Sequence, residues 1–224
     1  MTKFFERAKA RQLRREGRSY SEIKRTMKVS KSSLSLWLRD IPLTDGQIKK
    51  IKGNKEKAIE RFIETMKLKR EERLSDYYNK QKKAWLPLSN RELFLAGLFL
   101  YWGEGNKASR HTISISNTDP TLLVFSLVWM TKSLNIPKES IKASLQLYSD
   151  MYVEKATDYW SRILGIPRSR FNKPYIKKST RSSIDQKGFG QGTCNLITQN
   201  TVIKENLLMA IKSIADYYLK GIKI

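Results

Sequence analysis

Apolar residues in the first 41 positions fall in three clumps separated by turn-forming residues. The stretches "FERAKARQLRREG", "SYSEIKRTMK" and "SKSSLSLWLRDI" each repeat an apolar side chain at helical intervals, which predicts three short helices over residues 5–41. Two of their starts are chemically marked. Ser19 and Glu22 form the S-x-x-E pattern of a capping box, and Ser30 stands where an N-cap precedes the third helix. Gly17 and the Met27–Ser30 segment supply the turns. Leu13, Ile23, Met27, Val29, Leu34 and Trp37 fall where a three-helix core needs them, leaving Lys31, Ser32, Ser33, Ser35 and Arg39 outward on the third helix.

From Gln47 to Lys83 the pattern becomes one long helical stripe: Ile59, Phe62, Ile63 and Met66, then, after a slip, Leu74, Tyr77 and Tyr78. The stripe predicts one buried face and the surrounding charges a solvated one. Pro87 ends the helix and sets a boundary near Trp85–Leu88. This divides the chain into a helical module at 1–43, a charged helical linker at 44–86 and a larger domain at 87–224.

The larger domain mixes periods. A second capping box, Ser89 with Glu92, opens an apolar helix that runs to Glu104. Then come a strand, "HTISIS", and a helix opened by Asp119 and Pro120 and continuing through Leu134. A strand "SIKASLQLYS" and a helix from Tyr152 to Leu164, stopped by Gly165, follow. Two strands, "KPYIKKST" and "TCNLIT", and a helix from about Thr201 to Leu219 complete the order. Helices and strands in this order predict an α+β domain with an antiparallel sheet.

Charge narrows the partner. The chain has 44 Lys and Arg against 21 Asp and Glu, a formal net charge of +23, so its field attracts polyanions and nucleic acid leads. A membrane span is excluded because the longest apolar run, Leu93–Gly103, is about eleven residues against the roughly 20 a span needs. "MTKFFERAKARQLRREG" lacks the apolar centre of a signal peptide, and the single cysteine, Cys194, suits a reducing compartment. A cytoplasmic location is therefore expected. One cysteine and one histidine, His111, are too few for a zinc site, which takes three or four nitrogen or sulfur ligands.

Two resemblances sharpen this. Residues 5–41 resemble the helix-turn-helix of transposase, resolvase and sigma-like DNA binders, on the cadence G-x-S-x-x-E-I followed by V-S-x-x-x-x-x-W-L. The resemblance implies that the third helix enters the major groove, with Lys31, Ser32, Ser33 and Ser35 on bases or phosphates and Arg39 on the backbone. Leu36 stands where such helices often carry a long polar side chain.

Residues 87–220 resemble the LAGLIDADG homing endonuclease superfamily. The matching pieces are Gly103-Glu104-Gly105, then Asn117-Thr118-Asp119, then Leu134-Asn135-Ile136, within "LYWGEGNK … SNTDP … YWSRILGIP". The nine motif positions fall on Gly97–Gly105, so the literal "LAGL" at Leu95–Leu98 lies two residues early. The resemblance implies a LAGLIDADG-like fold, sequence-specific double-stranded DNA as partner, and magnesium-dependent phosphodiester cleavage with Glu104 as the catalytic acid. Glu104, with the backbone at Gly103, would hold the metal. One motif copy implies a homodimer whose helices meet near Ala96, Gly97, Leu100 and Gly103, although Leu98 and Phe99 replace small family residues. Basic strand residues Lys142, Lys173, Lys177, Lys178 and Arg181, and Lys187 in the following loop, are the implied DNA contacts. The rival expectation is a non-cleaving DNA-binding transcriptional regulator on the same fold.

Overall fold

The computed structural model describes residues 4–180 and 190–220, and the chain divides into two compact units, Met1–Leu86 and Pro87–Ile224. Residues 44–86, expected as a separate linker, pack as part of the first.

In the first unit, α1 (Phe4–Arg15), α2 (Tyr20–Thr26) and α3 (Lys31–Leu38) enclose a core of Ala10, Ile23, Met27, Val29, Leu34 and Leu38. Leu13 and Trp37, expected in that core, pack against its edge. Ser19 and Glu22 cap α2 reciprocally, as their spacing predicts, and the Ser30 hydroxyl accepts from the Ser33 amide at the start of α3. A short α4 (Asp45–Lys50) buries Leu43, Ile48 and Ile51 together, and α5 (Asn54–Trp85) follows.

The expected buried stripe of α5 stays largely open: Phe62, Met66, Leu74, Tyr77 and Tyr78 are all exposed. What holds the helix is polar. Arg14 of α1 and Glu60 of α5 are both almost fully buried and meet through two parallel hydrogen bonds of 3.0 and 2.8 Å. Arg14 also donates to the carbonyls of Ile41 and Arg18, and Glu60 accepts from the Tyr20 amide. Buried charges need this complete pairing, because each one left alone loses its hydration without return.

The second unit begins with α6 (Asn90–Glu104), capped by Ser89 and Glu92. The sheet contains β1 (Thr112–Asn117), β2 (Lys142–Tyr148), β3 (Tyr175–Lys177) and β4 (Thr193–Gln199) in the order β1-β4-β2-β3. It is mixed, which corrects the antiparallel expectation: β4 runs antiparallel to β1 and β2, whereas β3 runs parallel to β2. The reason is the connection. Helix α8 (Val153–Leu164) carries the chain back between β2 and β3, and such a crossover returns a strand in the same direction. Gly165, in the left-handed conformation at φ 59°, stops α8 where the sequence predicts.

One face of the sheet packs Ile113, Ile115, Ala143, Leu145, Leu147, Cys194 and Leu196 into a core shared with α6, α8, α7 (Pro120–Val128) and α9 (Thr201–Leu219). The helix expected to reach Leu134 leaves α-geometry after Val128 and continues as a π-turn over Trp129–Ser133. That turn sets Trp129, fully buried, against Gly97 of α6. A Cβ at Gly97 would lie 2.0 Å from Trp129 Cδ1, so only glycine permits the contact.

Two substitutions test these contacts. Arg14→Met strands the Glu60 carboxylate and should lower the unfolding free energy of the first unit by about 3–5 kcal/mol in chemical denaturation. Gly97→Ala overpacks the second core and should cost about 1–3 kcal/mol, read as a lower melting midpoint.

Candidate nucleic-acid interface

Capping and core packing fix which side of α3 is free. Leu34 and Leu38 point inward, so Lys31, Ser32, Ser35, Leu36 and Arg39 share the exposed side. Ser33 sits at the edge of that side: it is half-buried, its amide donates to the Ser30 hydroxyl at 3.1 Å, and the two hydroxyls lie 2.9 Å apart, so its side chain shares in the cap.

The free side of α3 opens onto a groove of about 800 Å³ whose other wall is α5. Leu34, Ile59, Ile63, Met66 and Leu74 give it an apolar floor, and Lys24, Lys31, Arg39, Lys67 and Arg70 outnumber the acids Asp40 and Glu71 around it, a net cationic rim. Lys24, Lys67 and Arg70 were not singled out in the sequence, where they merge with the other charges of their helices.

In the second unit, α6 ends where β1 begins to pair. Gly105 bridges to Ile115, and the Asn106 amide donates to the Ser114 carbonyl at 2.9 Å, so the turn after Glu104 extends the sheet edge. Glu104 is exposed at this end. Gly103 is exposed too, and a Cβ built there would meet nothing within 4 Å. Ala96, Phe99, Trp102 and Gly103 are all exposed on α6, with the Phe99 and Trp102 rings stacked at 6.0 Å. Leu100 is half-buried, and Gly97 faces inward against Trp129, so its smallness serves this chain's own core rather than a second copy.

Behind the helix end lies a buried polar group. The Tyr101 hydroxyl donates to the Asn106 carbonyl, and the Lys204 ammonium donates to both of those oxygens. Burial pushes the Tyr101 hydroxyl up to about 12 and lowers Lys204 from its ordinary value, the latter with a smaller push from Lys107. Sequence reasoning missed Lys204. Its signal was a lysine three and seven residues ahead of Leu207 and Ile211, on the apolar stripe of the last helix.

The sheet face away from the core is polar. Ser116 pairs across to Asn195 and Asn195 to Ser144, and Thr193 and Tyr175 flank Gln146 in the neighbouring row. None of these residues was named from the sequence, yet the alternation in "TISISN", "KASLQLY" and "TCNLITQ" already separates them from the buried set. Lys142 is exposed at the start of β2, and Lys173 and Lys178 are exposed beside β3. Lys177 is half-buried, its ammonium 4.8 Å from the Tyr148 ring centroid. Arg181 and Lys187 lie outside the described residues. His111 hydrogen-bonds Thr201 through Nδ1 at 2.9 Å, tying β1 to α9.

No family model, no curated protein and no solved structure matches this chain. Among the described residues no three His, Cys, Asp or Glu side chains converge as a metal site, and no helix is long and apolar enough to cross a membrane.

Cys194 supplies a direct check on the sheet. It is fully buried on β4, and burial pushes its thiol up to about 12. At pH 8 the native protein should leave a chromogenic disulfide reagent unreacted over minutes, and denaturant should release one thiol per chain. Rapid stoichiometric reaction of the native protein would contradict this packing.

Proposed function

We propose that this protein binds double-stranded DNA sequence-specifically and, as a homodimer, cleaves it with magnesium in the manner of LAGLIDADG homing endonucleases. The observation that carries the reading is the end of α6. An exposed glutamate follows an exposed glycine with open space over it, on a helix whose free side carries Ala96, Phe99 and Trp102. A helix side of that chemistry suits a second copy of itself, and the dimer would bring two Glu104 carboxylates to one place.

A magnesium ion takes oxygen ligands and keeps several waters. Among the described residues of one chain, Glu104 and the backbone oxygen of Gly103 would serve it. That is too few for a site, so the second copy's glutamate and DNA phosphates must complete the shell. When bound, the ion supplies a Lewis acid that activates water and offsets charge on the leaving oxygen. This chain's own contribution is to hold the carboxylate at a fixed helix end and to orient the duplex.

DNA binding rests on two surfaces. The exposed side of α3 offers Lys31, Ser32, Ser35 and Arg39, and the second unit offers the half-buried polar face of its sheet, with Ser116, Ser144 and Gln146, flanked by Lys142, Lys173 and Lys178. Hydroxyls and amides read base edges, whereas the lysines neutralise phosphates. A non-cleaving transcriptional regulator is the second reading, favoured by one observation: Phe99, which with Leu98 stands where the family has small residues, is exposed and stacked on the Trp102 ring, and such bulk would hold the two glutamates apart.

A target selected from random DNA tests both readings. Affinity should fall with salt at a log-log slope of about −0.9 per phosphate contacted, and Lys31→Ala or Arg39→Ala should reduce that slope by about one. With magnesium the wild type should cut both strands, while Glu104→Gln should bind equally and leave the DNA intact. Tight binding without cutting by either protein would establish the regulator.

A further inference from the structure

Lys204 is the least expected charge in the second unit. It lies in the first turn of α9 with no solvent exposure, on the same side as the buried Leu207 and Ile211. A buried ammonium normally has a carboxylate beside it, because the interior cannot replace its hydration. Here its partners are neutral oxygens, the Tyr101 hydroxyl and the Asn106 carbonyl, with the Tyr101 ring centroid 5.0 Å away.

Those two partners bracket Glu104. Tyr101 lies on the last turn of α6 and Asn106 just beyond its end, so one ammonium ties together the two sides of the turn from which the glutamate projects. The location also has an electrostatic consequence. A helix carries partial negative charge at its C-terminus, where a glutamate at the final position is disfavoured. Lys204 sets a positive charge beneath that end, and Lys107 adds a second by donating to the Trp102 carbonyl at 2.8 Å.

We propose that Lys204 is a positioning residue for Glu104: its buried ammonium joins the Tyr101 hydroxyl to the Asn106 carbonyl, fixes the turn that aims the carboxylate, and offsets the negative helix end. This rests on Glu104 being the functional carboxylate. The same clamp accounts for the choice of lysine over an apolar residue. Leucine or methionine at 204 would fill the space more cheaply but would leave the Asn106 carbonyl with the Tyr101 hydroxyl alone.

The test uses the full-length protein with Lys204→Met, Lys204→Arg and Tyr101→Phe, each first checked for a cooperative melt. In Lys204→Met, hydrogen exchange at the Gly105 and Asn106 amides should accelerate about tenfold while the β2–β4 amides keep their rates. On a cleavable target its kcat should fall about tenfold or more with KM for DNA little changed, and half-maximal cutting should need more magnesium. Lys204→Arg, which keeps the charge and donors, should recover part of both effects. Unchanged exchange at Gly105 and Asn106, or unchanged kcat and magnesium dependence, in folded Lys204→Met overturns the proposal. A wild type that binds DNA and never cuts defeats the nuclease reading instead, and the exchange rates then decide alone whether Lys204 fixes the turn. If Lys204→Met fails to fold, Tyr101→Phe removes one oxygen of the clamp. It should give smaller changes of the same kind, and its equivalence to wild type overturns the proposal.

Discussion

The approach of α6 to its own domain is set by side chains that are missing. At Gly97 a Cβ would overlap the Trp129 indole, and at Gly105 it would lie 2.3 Å from the Tyr101 ring. With both positions bare, the helix can bury Leu98 and Tyr101 while its last turn passes directly into a bridge with β1. The location of Glu104 at the sheet edge and the open space over Gly103 follow from that approach. So does the reach of Lys204 from α9 to the turn. The three glycines of α6 and its end therefore have different employers: Gly97 and Gly105 serve the fold of one chain, and of the three Gly103 alone has its space unclaimed.

The first unit solves a different problem with polar means. Its three small helices bury a modest core. A bidentate Arg14–Glu60 pair ties them to α5, with the Tyr20 amide and the Ile41 and Arg18 carbonyls filling its remaining hydrogen-bonding positions. Such a pair adds little net stability over well-packed apolar residues, but its geometry admits one register. Holding α5 in that register gives the groove beside α3 its apolar floor and cationic rim.

Features written in local chemistry were legible in the sequence. Ser19 with Glu22, Ser89 with Glu92, Asp119 before Pro120 and Gly165 after Leu164 mark helix ends through hydrogen bonds or φ angles that a few neighbouring residues determine. Features that depend on distant partners were not. The parallel setting of β3 follows from how α8 crosses the sheet, and the π-turn at Trp129 from the need to seat an indole on Gly97. Glu60 and Lys204 read as ordinary surface charges on their helices, because burial is conferred by Arg14 in one case and by Tyr101 and Asn106 in the other. The same limit applied to Gly97, whose smallness suits a helix dimer and an indole equally well until the fold places Trp129 against it. Glu104 itself was legible as a helix-terminal acid, but its exposure depends on β1 leaving the turn open.

Net charge and buried charge play separate parts in this molecule. The formal charge is +23, and among the described residues nearly all charged side chains reach water, where they attract any polyanion and are screened by salt. Among the described residues, Arg14 and Lys204 are the buried basic side chains and Glu60 the buried acidic one. Arg14 is neutralised by Glu60 and adds nothing to the long-range field. Lys204 meets burial differently: no carboxylate lies beside it, and its ammonium is held by the Tyr101 hydroxyl and the Asn106 carbonyl, two neutral oxygens whose negative ends replace part of the hydration it gives up. One buried cation is therefore matched by an ion pair across two helices and the other by neutral oxygens across one turn, and both serve local geometry rather than the long-range field.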